Sequence, residues 1–469
     1  MSDHHAKLST IPGVDTLIEV EAIRNLLDKH PSRLVKSIIR EQLDEAREQI
    51  KAGHEVSTQG LIDAIVAVCS NTFKPSLKKV VNATGILIHT NLGRAPLGKE
   101  VLEEAWQVLE DYNNLEFDLD KGKRGSRYKH VSQLICKITG AESALVVNNN
   151  AAALMLILRT FAKNREVIVS RSELIEIGGS FRLPDIMAAS DCKMVEVGTT
   201  NKTRLSDYAH HITDDTALLL KAHWSNFIIK GFTEEVRPDE LATLGKERGI
   251  LSMLDLGSGL PDNRIHPLLQ SELDIRTALN SNVDLVCFSG DKLFNGPQAG
   301  IILGSESLIN RLKKEQMTRA LRVGKTTLAL LETVCKRHLK SDNQSLDLPI
   351  YRKLNRSKQE FLELGEKLLR LLEGIGLEGE VIPSEGRFGG GALPETIIPS
   401  YSVELSKPAK KAHHEKLHFG LMKHPRPIVS SLIKGRLSFN LLSLNEHDLE
   451  PLVQSLSDVW TKLAAPKEN

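Results

Sequence analysis

Between residues 79 and about 335, short β-branched and apolar runs alternate with helical stretches, and this alternation limits the fold more than any other feature of the chain. Candidate strands are Ser143–Asn148, Glu166–Ser170, Lys193–Val197, Ala217–Lys221, Leu251–Leu256, Leu285–Ser289 and Gly300–Leu303. Helical patterns separate most of them. The arrangement predicts an α/β domain with a mostly parallel sheet and helices on both faces.

The flanking regions have a different texture. Residues 12 to about 70 show apolar residues at spacings of 3 and 4, as in Leu34, Val35, Ile38, Ile39, Leu43 and Ala46, with breaks at Pro31 and near Gly53. This predicts a helical module. It is charge-balanced, with eleven basic and eleven acidic residues from Met1 through Lys79. Beyond the α/β region, Leu354–Leu372 reads as one long amphipathic helix, followed by a mixed α+β stretch to Trp460. The expected division is 1–78 (N-terminal helical module), 79–340 (large domain) and 341–469 (small C-terminal α+β domain). The Gly389-Gly390-Gly391 triplet stands alone, and no repeat is visible.

Composition narrows the class. Charged residues are 26% and hydrophobic residues 41% of the chain, which excludes a disordered polyelectrolyte. Lys plus Arg (61) nearly cancels Asp plus Glu (60), so a nucleic-acid partner would have to be met by a local patch. No apolar run is long enough to span a membrane, and the N-terminus lacks the pattern of a signal peptide. Five cysteines lie far apart without a CxxC pair, which fits a reducing, cytoplasmic setting and predicts no metal site.

Ligands of open parallel sheets sit at the C-terminal ends of strands. After Ser143–Val147 come Asn148, Asn149, Asn150 and Ala151, then an apolar helix, so free N–H groups at a helix start make an anion cradle. Ordinary capping by Asn explains the same residues. After Leu251–Leu254 comes Asp255, then Leu256-Gly257-Ser258-Gly259. After Leu285–Phe288 comes Ser289-Gly290-Asp291-Lys292. By itself Lys292 reads as a solvated loop lysine. In this order, phosphate cradle, Asp255 and Lys292 match pyridoxal-phosphate enzymes of the aspartate-aminotransferase fold type. There the lysine amine captures the cofactor aldehyde, the Asp keeps the pyridine nitrogen protonated, and the helix start holds the phosphate. Ser289 adds a hydroxyl to that phosphate site.

A closer resemblance rests on longer blocks. These are Asn82-Ala83-Thr84-Gly85 with His89-Thr90-Asn91-Leu92-Gly93-Arg94, Val147–Ala152, Ser170-Arg171 with Glu173–Gly179, and Glu196–Asn201. Ser225-Asn226-Phe227, Asp255–Gly259, Ser289–Gly300 and Arg319-Ala320-Leu321-Arg322 complete the set. In these blocks the chain resembles the bacterial selenocysteine synthases, the L-seryl-tRNA(Sec) selenium transferases, from about residue 10 to about 455.

The resemblance implies a fold-type-I pyridoxal-phosphate transferase that converts seryl-tRNA(Sec) to selenocysteinyl-tRNA(Sec). The β-hydroxyl is lost as water and selenium from selenophosphate adds in its place. It implies Lys292 as the catalytic and cofactor-holding amine that moves the α-proton. Asp255, Asn149, Asn150, Ala151, Asn226 and Ser289 become cofactor contacts, and Arg94, Arg319 and Arg322 the cations for selenophosphate. Planar guanidiniums suit such an anion, and Arg311–Lys325 is strongly basic. It further implies tRNA reading by the N-terminal helices and a homo-oligomer, a decamer.

His223 reads as a packed strand-end histidine or a cofactor neighbour, and Glu173 and Glu176 take no assigned role. Arg124 and Arg127 look like a loop at the pocket mouth. Trp224, Ala392, Ser430, Ser431, Asn440 and Leu442 depart from the family pattern. Two other readings compete: a related lyase or aminotransferase acting on a free amino acid or amino sugar, and a catalytically inactive tRNA-binding assembly factor.

Overall fold

A computed structural model of the chain describes residues 11–178, 181–341, 346–406 and 411–464. The ends of the expected first and last domains, and Gly179 of the Glu173–Gly179 block, lie outside the described residues. The chain divides into two compact units, Met1–Lys79 and Val80–Asn469.

The first unit is helical: α1 (Val14–Ile18), α2 (Glu21–Lys29), α3 (Ser32–Lys51) and α4 (Thr58–Thr72). Pro31 takes the N-cap position of α3, where its missing N–H costs nothing. Ser57 caps α4 by accepting from the Gly60 N–H at 3.0 Å. The 3- and 4-residue spacing of Val35, Ile38, Ile39, Leu43, Ala46 and Ile50 puts them all on the buried face of α3. All of them but Ile50 meet Leu17, Ile23, Leu61, Ile65 and Cys69 in a separate small core.

In the second unit all seven expected strands form one sheet. They are β1 (Ser143–Val147), β2 (Glu166–Ser170), β3 (Lys193–Val197), β4 (Thr216–Ala222), β5 (Leu251–Gly257), β6 (Leu285–Ser289) and β7 (Gly300–Gly304), in the spatial order β1-β7-β6-β5-β4-β2-β3. Every pairing is parallel except those of β7, which runs antiparallel to both neighbours. Alternation along the strands feeds cores on both faces: Val146, Leu254, Val286 and Ile301 lie in one, Leu145, Met253, Leu285 and Ile302 in another, and Ile168, Val197 and Leu219 of β2, β3 and β4 in a third. Helices cover both faces, which is why these strands read as nearly continuous apolar runs. Among the covering helices are α5 (Asn150–Ala162), α6 (Met317–Leu321) and α7 (Lys325–Lys340).

The expected helix Leu354–Leu372 is found as α9 (Lys358–Glu373), starting four residues later, with Leu354 closing a separate short helix, α8 (Pro349–Leu354). The apolar period runs through the break, but Ser357 opens a new helix with a capping box. Its hydroxyl accepts from the Glu360 N–H at 3.2 Å, and the Glu360 carboxylate accepts from the Ser357 N–H at 2.7 Å. A second sheet follows, antiparallel throughout: β8 (Gly379–Arg387), β9 (Ile397–Leu405), β10 (Ser431–Ile433) and β11 (Arg436–Asn440), in the order β8-β9-β11-β10.

The Asn82–Arg94 segment binds to this second sheet. The Leu87 and Ile88 N–H groups donate to the Arg387 and Phe388 carbonyls at 3.0 and 2.7 Å. Asn440 packs against Gly85, where an added Cβ would come within 2.5 Å of its amide. That amide donates to the Glu385 carbonyl at 3.0 Å and accepts from Ser400 and from the Leu442 N–H. The divergent Asn440 is therefore a fully engaged structural residue.

Candidate active site

The C-terminal ends of β1, β4, β5 and β6 converge, and the residues singled out at each end meet there. Asp255 lies on the same sheet face as Cys287 and α5, because Met253 and Cys287 share that face's core. It is buried at 6% exposure. Asn150 Nδ2 donates to its Oδ1 at 2.8 Å, and the Cys287 thiol lies 3.7 Å from the same oxygen. Burial pushes the Asp255 pKa up, while the Asn150 hydrogen bond and the Lys292 charge hold it back.

Lys292 follows β6 and is 3% exposed. Burial pushes its pKa down; Asp255, Asp291 and Glu272 oppose that, and Arg94 adds to it. A neutral amine is nucleophilic and can take a proton, so this environment readies Lys292 for both tasks. The glycine triplet between β8 and β9 roofs the lysine. Lys292 Nζ lies 3.5 Å from the Gly391 carbonyl, and all three glycines have positive φ. A Cβ at Gly391 would come within 3.1 Å of Nζ.

Asn149 N-caps α5 by accepting from the Ala152 N–H at 2.9 Å. The N–H groups of Asn150 and Ala151 belong to the first turn, whose donors lack helical partners. The Asn150 side chain is turned to Asp255 instead. Ser289 pairs with Gly300, and Gly300 pairs with Val147, so strand register brings the Ser289 end of β6 beside the start of α5. A Cβ on Gly300 would meet the Asn149 carbonyl at 2.0 Å, which explains a glycine here.

Asn226 donates to the Glu176 carbonyl at 2.9 Å, leaving its buried Oδ1 without a partner. His223 donates its backbone N–H to the Asp255 carbonyl at 2.9 Å, and its Nε2 lies 3.4 Å from the buried Glu272. Trp224 rests against Phe227, its ring centroid 5.6 Å away.

The three arginines separate. Arg94, itself at a left-handed φ of 63°, pairs with Asp291 at 2.7 Å, next to Lys292. It lines a cavity of about 450 Å³ with Thr90, Asp291 and Gln298. Arg322 lies beside the cradle, since the Leu321 carbonyl accepts from the Asn148 N–H at 3.0 Å. Its guanidinium is 3.5 Å from Glu116, a carboxylate that also holds Arg127 at 2.6 Å and Arg124 at 3.1 Å. Those two loop arginines thus close on Glu116. Arg319 stays exposed on α6.

Sequence reasoning missed what lies behind these groups. Gly391 over Lys292 joins residues 99 apart. Glu173 is buried at the end of β4, accepting from Lys221 and from the Ala222 N–H, each at 2.9 Å. Glu173 stands in a block of family resemblance, but nothing local assigns it this role.

Comparison with known proteins identifies the family. The family described as "L-seryl-tRNA selenium transferase" matches residues 80–445, and "Selenocysteine synthase N terminal" matches residues 8–47. A relative named "L-seryl-tRNA(Sec) selenium transferase" from Alkaliphilus oremlandii is 40% identical over 460 residues, covering 96% of this chain and 98% of its own. One of the same name from Aquifex aeolicus is 39% identical over 454 residues, with the same coverage. In fold, the chain is similar to a solved D-glucosaminate-6-phosphate ammonia-lyase, with a TM-score of 0.58 at 18% identity over 83% of this chain and 97% of that one. With its family pattern spanning the α/β and C-terminal regions and its relatives aligned nearly end to end, the chain belongs to the L-seryl-tRNA selenium transferase family.

Proposed function

We propose that this protein converts seryl-tRNA(Sec) to selenocysteinyl-tRNA(Sec), using pyridoxal 5'-phosphate held on Lys292 and selenophosphate as the selenium donor. The observation that carries the reading is the juxtaposition of two buried, mutually interacting groups, the Lys292 amine and the Asp255 carboxylate, at the mouth of the parallel sheet. The relatives' name supplies the substrate.

The residues present fit the cofactor. Asn226 Oδ1, Asn150 Oδ1 and Ser258 Oγ are buried polar atoms without partners, as in a site whose polar ligand completes the hydrogen bonding. Lys292 would hold the aldehyde carbon, Asp255 the ring nitrogen and Asn226 the ring oxygen. The start of α5 at Asn149, Asn150 and Ala151, with Ser289, would hold the phosphate. Bound there, pyridoxal phosphate supplies an electron sink for the pair left on a substrate α-carbon.

The chain's own groups do the rest. Lys292 Nζ takes the α-proton and returns it after selenium has added; its lowered pKa keeps a fraction of the amine neutral for this. Asp255, fixed by Asn150, holds a proton at the ring nitrogen. Arg94, Arg322 and Arg319 would bind the anionic selenium donor. Of these, Arg94 is placed next to Lys292 through Asp291.

The helical unit before residue 80 would read the tRNA, and salt would weaken that contact. The division between large and small domains is placed at 340, ahead of α8. The protein would act in the cytoplasm as a homo-oligomer, a decamer. Five free cysteines agree with that compartment, and among the described residues no helix is long and apolar enough to cross a membrane.

The test is direct. Purified protein with seryl-tRNA(Sec), selenophosphate and pyridoxal phosphate should yield selenocysteinyl-tRNA(Sec), detected after hydrolysis of the ester. Unchanged serine on the tRNA would refute the reading, and deamination of a free amino acid or amino sugar would replace it with a lyase.

A further inference from the structure

A set of buried and half-buried side chains behind Lys292 takes no part in the chemistry above. They converge on the three residues that follow the lysine. Tyr351 of α8 is fully buried, and its hydroxyl donates to the Leu293 carbonyl at 2.5 Å. His338 of α7 reaches the next carbonyl: its Nε2 lies 2.9 Å from the Phe294 oxygen, and its ring stacks on Phe294 with centroids 4.5 Å apart. Burial lowers the imidazole pKa to about 4. The ring is therefore neutral near pH 7, and Nε2 carries the hydrogen because a carbonyl only accepts.

Asn295 completes the arrangement in a left-handed conformation, with φ at 55°. Its amide donates to the Pro96 carbonyl at 2.8 Å and accepts from the Ile350 N–H at 2.9 Å. The loop's own N–H groups are also used. Leu293 N–H donates to the Ser258 carbonyl at 3.0 Å, tying the loop to the turn after Asp255, and Asn295 N–H donates back to the Lys292 carbonyl at 2.9 Å.

A buried hydroxyl and a half-buried imidazole are costly unless bonded, and apolar side chains would cover this loop as well. Their effect here is directional. They fix consecutive peptide planes just beyond Lys292, and a rotation of those planes would be amplified along the four-carbon side chain to Nζ. We propose that Tyr351 and His338 are positioning residues that hold Lys292 Nζ on its reacting trajectory by clamping the carbonyls of Leu293 and Phe294. This rests on Lys292 being the reacting amine of the proposed function.

The test uses full-length Tyr351→Phe, which removes one oxygen. Pyridoxal phosphate is added to cofactor-free protein, and capture is followed by its visible absorbance change and by borohydride trapping. A displacement of Nζ by about 1 Å should slow capture and kcat by about a hundredfold, with KM for seryl-tRNA(Sec) nearly unchanged. Capture and kcat within about twofold of wild type, with only a lowered melting temperature, would overturn the proposal.

Should Tyr351→Phe fail to fold, His338→Leu and His338→Gln decide the matter. The leucine variant, lacking a donor, should slow capture, and the glutamine variant should restore it; equal rates in the two would overturn the clamp. Wild-type protein that captures pyridoxal phosphate yet leaves seryl-tRNA(Sec) unconverted would defeat the functional reading alone, and the capture rates would still judge the clamp.

Discussion

Asn150, the first residue of α5, donates a 2.8 Å hydrogen bond to Asp255, 105 residues away at the end of β5. A helix start read as a phosphate cradle thus also sets the carboxylate proposed to face the cofactor ring. Cys287 lies on the same oxygen, so one edge of the Asp255 carboxylate is occupied from within the fold.

The Asn150 bond makes Asp255 more acidic than its burial alone would allow. Asn150→Ala removes it, and a hydrogen bond to a charged group is worth about 1.5–3 kcal/mol, or about 1–2 pKa units. The Asp255 pKa should therefore rise. The midpoint of the Asp255 carboxyl, followed by its carboxylate stretch in an infrared pH titration of the cofactor-free protein against Asp255→Asn, should move up by about 1 unit. An unmoved midpoint would detach Asn150 from the electrostatics of the site.

Glu173 and Lys221 form an almost fully buried pair at 2.9 Å beneath the strand end that leads to Asn226. Glu173→Ala leaves Lys221 with only Glu235, which is half exposed, at 3.1 Å. Breaking a buried pair costs about 3–5 kcal/mol, and the remaining partner puts the expected loss near the lower figure. The double variant Glu173→Leu with Lys221→Met should recover much of it. Urea denaturation of the three proteins measures both; a double variant no more stable than the single would show that the pair's polarity itself is required.

Lys353 of α8 is buried, donates to the Ser443 carbonyl, and has its pKa lowered to about 7, chiefly by burial and then by Arg356. Between about pH 7 and its ordinary value near 10.5, the unfolded chain keeps a proton that the folded one has released. Stability contributed by this group therefore rises with pH across that window, and below it the folded protein carries a buried ammonium. Lys353→Met should exceed wild type by about 1–2 kcal/mol at about pH 6 and lose that margin by about pH 9. Unfolding free energies at the two pH values check the slope; a margin independent of pH would contradict it.

The parallel sheet was legible because its strands, the edge strand β3 apart, are mostly buried apolar runs, while Asp255 and Lys292 stand out only together with the helix start after β1, since Lys292 alone reads as a solvated loop lysine. What stayed illegible depends on contacts between distant segments. Nothing local ties Asn150 to Asp255, or brings Gly391, from the turn between two strands of the second sheet, over Lys292. The break between α8 and α9 did carry a local signal, Ser357 followed by Glu360, but an unbroken apolar period concealed it. Arg319 and Arg322 read as a pair from their motif, while the fold leaves the first exposed and turns the second toward Glu116.

The account depends on which amine captures the cofactor aldehyde. Wild-type protein loaded with pyridoxal phosphate, reduced with borohydride, digested and mapped by mass spectrometry should carry the pyridoxyl group on Lys292, and Lys292→Ala should carry none there and convert no seryl-tRNA(Sec). A pyridoxyl group on another lysine, or full conversion by Lys292→Ala, would contradict it.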